Sequence, residues 1–511
     1  MGDPMHENVL LMAIDLGTSF IKVGVYTLEG NCIAEEKQPV KDSRPSPGVF
    51  LQNGEEIAQS VILCIRKVTA QLGPRSSAIE AVSFTGQMAG FMGVDKNWND
   101  VTGWSCSLDT RYSPYADRQL KELKEEFLRI SGTNSPLFSA KYQWFKDFFP
   151  AEEKRIAKYL MISGYIIGKL GDIPVEDAVI DGSLITWTGL ADVRNRRWSS
   201  EICTRLGVDM QCLPRICEST EVVAHLSREA AQLTGLRPGI ALVCGAGDKI
   251  AGCVGAANLH QGGLLYEAGS FGGISFAVND YRPDYAYRHY DILNGCCKED
   301  LYAHYYMPGS GLTLDWFLRN LSGSNGTLSE MYRQMDEKMA SVPVGSDGLM
   351  AIGMLSGTVM PFDPTLKGVW AGHTLSHKAE HFYRALAESF GYALLGAITR
   401  MEQMYPEQKA GCMRMIGGGA RSAVMAQLLA DVIGKPVETV DRDDCSLWGA
   451  CILAAKGTNL IGDIEQFAQA HIHTHQIFTP NPDHHEKYLL LKEKYDRYLQ
   501  IMSQLFTEQH P

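Results

Sequence analysis

Two glycine-rich turns in the sequence carry residue types that bind phosphate groups. The first is Asp15-Leu16-Gly17-Thr18-Ser19, and the second is Glu267-Ala268-Gly269-Ser270 near the middle of the chain. Turns of this composition present backbone N–H groups and a hydroxyl with no bulky side chain in the way. Asp15 lies where a carboxylate can hold hydrated Mg²⁺ against the phosphate. Glycines in hairpins often only turn the chain, so each motif alone is a weak signal.

A third glycine-rich turn joins a strand to a helix. The segment Cys412–Ile416 is strand-like, residues 417–422 read G-G-G-A-R-S, and an apolar helical pattern follows until Gly434. A nucleotide can lie against the bare backbone of such a turn, beside the N-terminus of the helix. Three glycine turns in these positions indicate a nucleotide site more specifically than any one of them.

A carboxylate that can act as a base follows the strand-like segment Leu242–Gly247. This segment delivers Asp248 and Lys249 to the middle of the chain. A carboxylate beside a phosphate donor can accept the proton of an attacking hydroxyl. Aspartate is also a favoured helix N-cap, and local sequence alone does not separate the two roles.

The elements that must position these residues alternate between strands and helices. An apolar strand from Val9 and a second strand at Ile21–Tyr26 form a predicted hairpin. A helical pattern then runs from Ile57 to Leu72, and Ile79–Phe84 is a further strand. This alternation predicts an α/β architecture.

An internal similarity divides the chain. The stretch Leu10–Thr18 is echoed by Leu264–Ser270, and each is an apolar strand that leads through an acid to a Gly-Thr or Gly-Ser turn. Two homologous halves are therefore predicted. We expect the first domain at residues 9–254 and the second at residues 255–490.

Composition argues against several classes of protein. The 511 residues include 47 Lys and Arg against 59 Asp and Glu, so the net charge of −12 argues against binding of nucleic acid or an anionic membrane. The apolar run Val9–Ile14 is too short to span a membrane, and we expect a cytoplasmic protein. The 13 cysteines form no C-x-x-C pair, and Cys296-Cys297 lacks the companions that a metal site needs. We therefore expect buried, reduced thiols.

In their order along the chain, these motifs resemble the FGGY carbohydrate kinases of the sugar kinase, Hsp70 and actin superfamily. The matching segments are Met12–Ser19, Ser83–Gly90, Gly245–Gly252, Glu267–Gly272 and Ile416–Ser422. Within the family, Gly86-Gln87-Met88 and the G-G-G-A-R-S run are most similar to xylulokinases. The resemblance implies an α/β fold of two actin-like, ribonuclease H-like domains with a central cleft. It also implies ATP and Mg²⁺ as cofactors.

The resemblance assigns an expected role to each matching residue. It makes Asp248 the catalytic base and Asp15 the Mg²⁺ ligand. The family's phosphate-binding and nucleotide-binding positions fall on Thr18, Ser19, Gly269, Ser270, Gly311, Asp315, Gly418, Gly419 and Ser422. Its sugar-binding positions fall on Gln87, Met88, Ala89, Asp109, Arg111 and Lys249.

Two residues depart from the xylulokinase pattern. Ala89 stands where xylulokinases have His, and Lys249 stands where they have Asn. A site built to pair a substrate hydroxyl discriminates strongly when that partner is lost. Lys249 can instead form a salt bridge with a neighbouring carboxylate and stay out of the pocket.

The resemblance implies ATP-dependent phosphorylation of a ketopentose such as D-xylulose. The alternatives are a kinase for ribulose, another ketose or a polyol, and a non-catalytic nucleotide-dependent clamp. Asp248 beside the sugar-type motif Gln87-Met88 favours the kinase.

The expected partners are a sugar and ATP, and a homodimer is left open. A stripe on a predicted C-terminal helix could form an oligomer contact, although such stripes more often pack on their own chain. The stripe consists of Tyr488, Leu491, Tyr495, Tyr498 and Met502.

Overall fold

The computed structural model describes residues 9–307, 309–355, 357–360, 362–363 and 365–508. Strands and helices alternate through these ranges and build two α/β halves, each around its own central sheet, as the sequence predicts. Within the same ranges, no helix has the length and apolarity needed to cross a membrane.

The first half runs from Leu10 to Gly255. Its strands are β1 (Leu10–Leu16), β2 (Phe20–Thr27), β3 (Cys32–Pro39), β4 (Leu51–Gln52), β5 (Ile79–Gly86), β6 (Gly90–Val94), β7 (Trp104–Cys106), β8 (Lys158–Leu160), β9 (Val179–Asp181), β10 (Ala191–Asp192), β11 (Arg197–Trp198), β12 (Arg215–Cys217), β13 (Val222–His225) and β14 (Ala241–Val243). Its helices are α1 (Gly54–Leu72), α2 (Ser113–Glu126), α3 (Leu137–Phe148), α4 (Pro150–Glu153), α5 (Ile162–Gly171), α6 (Ser200–Leu206), α7 (Arg228–Thr234) and α8 (Asp248–Gly255). The central sheet has the order β13-β14-β5-β1-β2-β3.

The second half begins with a matching hairpin. Its strands are β15 (Leu264–Ala268), β16 (Gly272–Val278), β17 (Asp291–Asn294), β18 (Leu301–Met307), β19 (Met350–Ile352), β20 (Thr358–Val359), β21 (Phe362–Asp363), β22 (Val369–Ala371), β23 (Met413–Ile416), β24 (Val437–Val440) and β25 (Thr474–Phe478). Its helices are α9 (Ser310–Asn320), α10 (Leu328–Met339), α11 (Ala379–Met404), α12 (Ala423–Ile433), α13 (Cys445–Gly457), α14 (Ile464–Ala470) and α15 (Pro482–Glu508). The central sheet has the order β17-β18-β16-β15-β23-β24-β25.

The two central sheets repeat one pairing pattern. β1 is antiparallel to β2 and parallel to β5, and β15 is antiparallel to β16 and parallel to β23 in the same way. Beyond each hairpin lies a further antiparallel strand, β3 in one sheet and β18 in the other. This repeat agrees with the predicted duplication, while the boundary at residue 254 stays a prediction.

Local sequence explains the elements that lead to the first turn. The side chains of Leu10 to Ile14 are almost completely buried, so β1 forms the middle of the first core. Helix α1 begins where the Asn53 side chain accepts a hydrogen bond from the Glu56 backbone N–H, and it ends at Gly73 with a φ of 56°. These bounds confirm the predicted helix and its glycine stop.

Helix α8 of the first half crosses α13 of the second half, and the two backbones approach closely at a glycine in each helix. A Cβ at Gly449 would overlap the carbonyl oxygen of Ala251, and a Cβ at Gly255 would overlap that of Cys445. Glycine therefore permits the close backbone approach. Because the Ser446 hydroxyl also donates to the Asp248 carbonyl oxygen at 3.2 Å, the crossing fixes the starts of both helices near each other.

The C-terminal helix α15 packs on its own chain. Tyr488 and Tyr495 are buried, with ring centroids 6.1 and 5.2 Å from that of Tyr392 on α11. The aromatic stripe thus belongs to the core of the second half. A homodimer stays a prediction that needs a different surface.

Candidate active site

The first glycine turn, residues 17–19, exposes its hydroxyl groups, while its carbonyl oxygens accept hydrogen bonds from within the protein. Gln87 donates to the Gly17 carbonyl oxygen at 3.3 Å, and Gln52 donates to that of Thr18 at 2.8 Å. The Thr18 side chain is partly exposed and Ser19 is exposed. With its carbonyl oxygens engaged on the protein side, the turn can offer donors to an anion.

An ion triad lies beside this turn. Lys22 pairs with Asp15 across the β1–β2 hairpin, and its Nζ lies 3.4 Å from Asp15 Oδ2 and 2.8 Å from Oδ2 of Asp444. Burial, together with the charges of Asp444 and Asp248, raises the pKa of Asp15 to about 7 against the opposing charge of Lys22. Neither Lys22 nor Asp444 belongs to the predicted site residues, although a lysine within the apolar strand F-I-K-V-G-V-Y was an available signal.

Asp248 is the first residue of α8, and Gly247 occupies the N-cap position without a side-chain cap bond. Asp248 is therefore not the N-cap residue itself, although its carboxylate accepts a hydrogen bond from the Lys249 backbone N–H in the first turn of the helix. Burial raises the pKa of Asp248 to about 6, which the charge of Lys249 opposes and that of Glu267 supports. A carboxylate with such a pKa is ionised at neutral pH and is a stronger base than an exposed aspartate.

Lys249 joins the two halves through an ion pair. Its Nζ donates to Glu267 Oε2 at 2.6 Å, and the two side chains are only 11% and 24% exposed. Although burial opposes its charge, Asp248 and Glu267 hold the pKa of Lys249 above its ordinary value. The Lys249 ammonium group is thus bound by Glu267, the acid of the second turn. This is the salt bridge that the sequence left open as an alternative to a sugar contact. Glu267 could be recognised in the turn motif, but its pairing with Lys249 could not.

The second glycine turn is supported by the start of α9. The Gly311 backbone N–H donates to the Gly269 carbonyl oxygen at 3.2 Å, and that of Leu312 donates to Ser270 at 3.1 Å. Farther along α9, Asp315 Oδ1 accepts a hydrogen bond from the Tyr332 hydroxyl at 2.6 Å. Gly311 therefore lies against the second turn, and Asp315 is held by Tyr332. That either residue contacts the nucleotide stays a prediction.

The third glycine turn packs against the second. A Cβ at Gly419 would lie 2.7 Å from the Cβ of Ala268, whereas a Cβ at Gly418 would meet nothing within 4 Å. Ser422 caps α12, because its hydroxyl accepts from the Met425 backbone N–H at 3.0 Å. The structure therefore brings two turns together and leaves bare backbone open at Gly418.

The expected sugar segment lies between the first turn and Asp248. Besides its bond to Gly17, Gln87 accepts a hydrogen bond from the Trp104 indole at 3.2 Å. The buried Met88 side chain packs against Gly247, and Ala89 is partly exposed. A short stretch of chain thus connects the phosphate turn with the predicted base.

Asp109 and Arg111 form one unit rather than two independent ligands. The Arg111 guanidinium donates to both Asp109 oxygens, at 2.9 and 2.7 Å, and Ser105 donates to Asp109 Oδ2 at 2.7 Å. Although burial acts in the opposite direction, the hydrogen bonds from Arg111 help hold the pKa of Asp109 below its usual range. The guanidinium carbon also lies 4.3 Å from the Trp144 ring centroid. Asp109 therefore orients Arg111.

A buried lysine that the sequence analysis missed holds this loop. Lys141 Nζ donates to the carbonyl oxygens of Ser105, Cys106 and Asp109 at 3.1, 2.6 and 3.1 Å. Its side chain also reaches the Ser105 hydroxyl at 2.6 Å. Burial lowers the pKa of Lys141 to about 7, against the charge of Asp109. A lysine on an amphipathic helix is usually solvated, so sequence gave little signal for it.

Replacing Lys141 with Met should raise the sugar KM about tenfold, with a smaller change in kcat. The substitution leaves buried carbonyl groups unpaired, which typically costs about 1–3 kcal/mol and frees the loop that orients Arg111. Steady-state kinetics with the preferred sugar and thermal unfolding measure both effects. Lys146→Met is the matched control, because Lys146 is exposed on the same helix. Equal kinetics in the two variants would contradict the positioning role.

Tyr306 on β18 faces the same site from the second half. Burial raises the pKa of Tyr306, and Lys249 and Asp248 act on it with opposite signs. Its ring stacks on that of Phe271 in the second turn, with centroids 6.0 Å apart. Tyr306 did not stand out in the sequence, because aromatic residues in strands are ordinary core residues.

The donors at the three turns fit Mg²⁺ and a nucleotide. Asp15 supplies a hard carboxylate oxygen of the kind that Mg²⁺ prefers. The side chains of Thr18 and Ser270 add hydroxyl groups, and Gly418 adds a stretch of backbone that no neighbouring atom covers. These are the donor types that Mg²⁺ and a polyphosphate chain bind.

We expect kcat/KM to fall about tenfold per pH unit below about pH 6, because a general base must be ionised in the free enzyme. Asp248, with its pKa raised to about 6, loses its charge in this range. A pH–rate profile of kcat/KM measures the acid limb. A flat profile down to about pH 5 would exclude a carboxylate with this pKa from the base role.

Comparisons with known proteins agree with this geometry. The models "FGGY family of carbohydrate kinases, N-terminal domain" and "C-terminal domain" match residues 10–255 and 281–458. Xylulose kinase of Bacillus subtilis (strain 168) is 25% identical over 489 residues, which are 95% of each chain. Gluconokinase of the same strain is 26% identical over 517 residues, covering 98% of this chain and 97% of the relative.

Solved structures confirm the fold. That of the ligand-bound xylulose kinase from Lactobacillus acidophilus superposes with a TM-score of 0.88 at 20% identity, covering 98% of this chain and 99% of that chain. The likeness extends over both halves. It confirms the predicted two-domain, actin-like architecture.

Proposed function

This chain belongs to the FGGY family of carbohydrate kinases, and we propose that it transfers the γ-phosphoryl group of ATP to a ketopentose hydroxyl, as in D-xylulose to xylulose 5-phosphate. The observation that carries the proposal is the position of Asp248. Its carboxylate lies at the junction of the halves and within the electrostatic reach of both Asp15 and Glu267, the acids of the two phosphate turns.

In this reaction, different residues of the chain accept the proton, bind the phosphates and hold the metal. Asp248 orients the acceptor hydroxyl and takes its proton at a carboxylate oxygen. Thr18, Ser270 and the backbone N–H groups of their turns bind phosphate oxygens and so align the donor with the acceptor. Asp15 holds Mg²⁺, which when bound neutralises charge on the phosphates.

Water exclusion follows from the same arrangement. Because the two phosphate turns belong to opposite halves, binding of donor and acceptor together draws those halves inward and shields the transferring group from water.

The identity of the acceptor rests on two positions near the base. Since Lys249 is engaged by Glu267, its ammonium group leaves the sugar site to Arg111, Gln87 and Ala89. Ala89 lacks the hydrogen-bonding imidazole of xylulokinases, so one sugar hydroxyl goes unpaired. The named relatives support acceptors of two kinds, a neutral ketose and an aldonate.

Replacing Ala89 with His is expected to improve kcat/KM for D-xylulose by about threefold to tenfold, the equivalent of one neutral hydrogen bond. The variant and the wild type are compared by ADP release with D-xylulose, D-ribulose, gluconate and polyols as acceptors. Lys249→Asn is the contrasting variant, and it should bring no gain, because it leaves Glu267 without its partner.

Two outcomes would overturn this substrate assignment. Gluconate or a polyol as the preferred acceptor of the wild type would replace the ketopentose within the same family. A gain for D-xylulose with Lys249→Asn and none with Ala89→His would mean that Lys249, rather than Ala89, limits xylulose binding.

A further inference from the structure

Two thiols and a carboxylate meet in the turn between β17 and β18. The Sγ atoms of Cys296 and Cys297 are 3.8 Å apart, and Cys296 Sγ lies 3.7 Å from Asp300 Oδ2. All three ligand atoms lie within 4.8 Å of one another. Asp300 is the companion that a search for cysteine and histidine spacings did not find. The turn is apart from the kinase site described above.

The two separations from Cys296 Sγ match those of a tetrahedral cation site. Two sulfurs bound at about 2.3 Å to a tetrahedral Zn²⁺ lie about 3.8 Å apart, and a sulfur and a carboxylate oxygen lie about 3.6 Å apart. We propose that Cys296, Cys297 and Asp300 bind one thiophilic divalent cation of the Zn²⁺ class. Thiolates select such cations over Mg²⁺, which prefers oxygen ligands.

The turn is organised before any cation arrives. Asp300 Oδ2 accepts a hydrogen bond from the Cys297 backbone N–H at 3.1 Å, which holds the carboxylate beside the thiols. From the first half, the Arg196 guanidinium donates to the carbonyl oxygens of Gly295 and Cys297. Arg196 also pairs with Glu218 at 3.0 Å, so its positive charge is partly balanced. Binding therefore requires little ordering of the chain.

Access and protonation are consistent with a reversible site. Cys296 is buried and Cys297 is exposed, so the cation can enter from solvent and keep a water in the fourth position. Its contact with Cys297 and burial raise the pKa of the Cys296 thiol. A cation must therefore displace the Cys296 proton. As each sulfur–metal bond forms, a thiol proton is released to solvent, and no oxidant or reductant takes part.

The cation would reinforce a contact between the halves. At the end of β17 next to the turn, the Asn294 side-chain amide donates to the carbonyl oxygen of Val193 in the first half at 3.0 Å. Holding the end of β17 in place should stabilise this contact, since a ligand of the folded state raises the unfolding temperature.

The test is a Co²⁺ titration of the reduced, chelator-treated full-length protein. We expect one equivalent to bind with a near-ultraviolet thiolate-to-cobalt charge-transfer band, and Zn²⁺ to displace it. The band should be lost in Cys296→Ser and Cys297→Ser, and Asp300→Asn should weaken binding about tenfold or more. Cys32→Ser removes an exposed thiol elsewhere and should keep the band.

Two results would overturn the site. One is the absence of a charge-transfer band in the reduced wild type. The other is a band that survives both cysteine substitutions, which would place the cation on other thiols. Since Cys297 is exposed, Cys297→Ser should fold like the wild type, and circular dichroism verifies that any lost band reflects a lost ligand.

Discussion

Replacing Asp248 with Asn is expected to lower kcat by about 10²- to 10⁴-fold, the usual cost of losing a general base. The substitution keeps the size of the side chain and removes the basic lone pair. ATP should still bind, because the phosphate turns and the Gly418 backbone are untouched. Steady-state kinetics and ATP binding by calorimetry measure the two effects separately.

The control for this variant is Asp147→Asn, the same chemical change on the exposed end of α3. It should keep wild-type turnover. Near wild-type turnover in Asp248→Asn would remove the base from the proposed mechanism. Loss of ATP binding in Asp248→Asn would instead show that the residue shapes the nucleotide site.

Replacing Asp15 with Asn is expected to raise the Mg²⁺ concentration for half-maximal activity by about 10- to 100-fold, as seen when partners of a metal site are lost. An amide is a weaker ligand for a hard cation than a carboxylate. A titration of activity with Mg²⁺ at constant ATP measures the shift.

A second variant separates metal binding from the ion triad. Asp444→Asn also removes a partner of Lys22, but Asp444 caps α13 and lies outside the first turn. It should leave the Mg²⁺ titration close to that of the wild type. If both variants shift the titration equally, Asp15 acts through Lys22 and not as a metal ligand.

The features that the sequence predicted best are turns and helix ends, because these depend on residues that are neighbours in the chain. The hairpin that carries Thr18 and the helix stop at Gly73 are set by local backbone conformation, and both lie where the pattern placed them. The halves could be recognised because the strand, acid and glycine turn recur as one short motif around Gly269. Such features need no knowledge of long-range packing.

Sequence could not show which charges meet. The bond from Lys22 to Asp444 joins residues 422 positions apart, and the packing of α13 on β1 and β2 brings them together. Lys249 adjoins Asp248 in sequence, yet its direction toward Glu267 depends on how the second half docks. Pairings of this kind depend on tertiary structure, so their partners stayed open or were missed.

The measurement that tests the central claim most directly is transfer of labelled γ-phosphoryl from ATP to carbohydrate. Purified protein is incubated with γ-labelled ATP, Mg²⁺ and one acceptor at a time, and the products are separated. We predict label on a ketopentose, none on carbohydrate with Asp248→Asn, and little released phosphate without an acceptor. Binding or hydrolysis of ATP with no label on any ketose, aldonate or polyol would contradict the kinase and favour a nucleotide-dependent clamp.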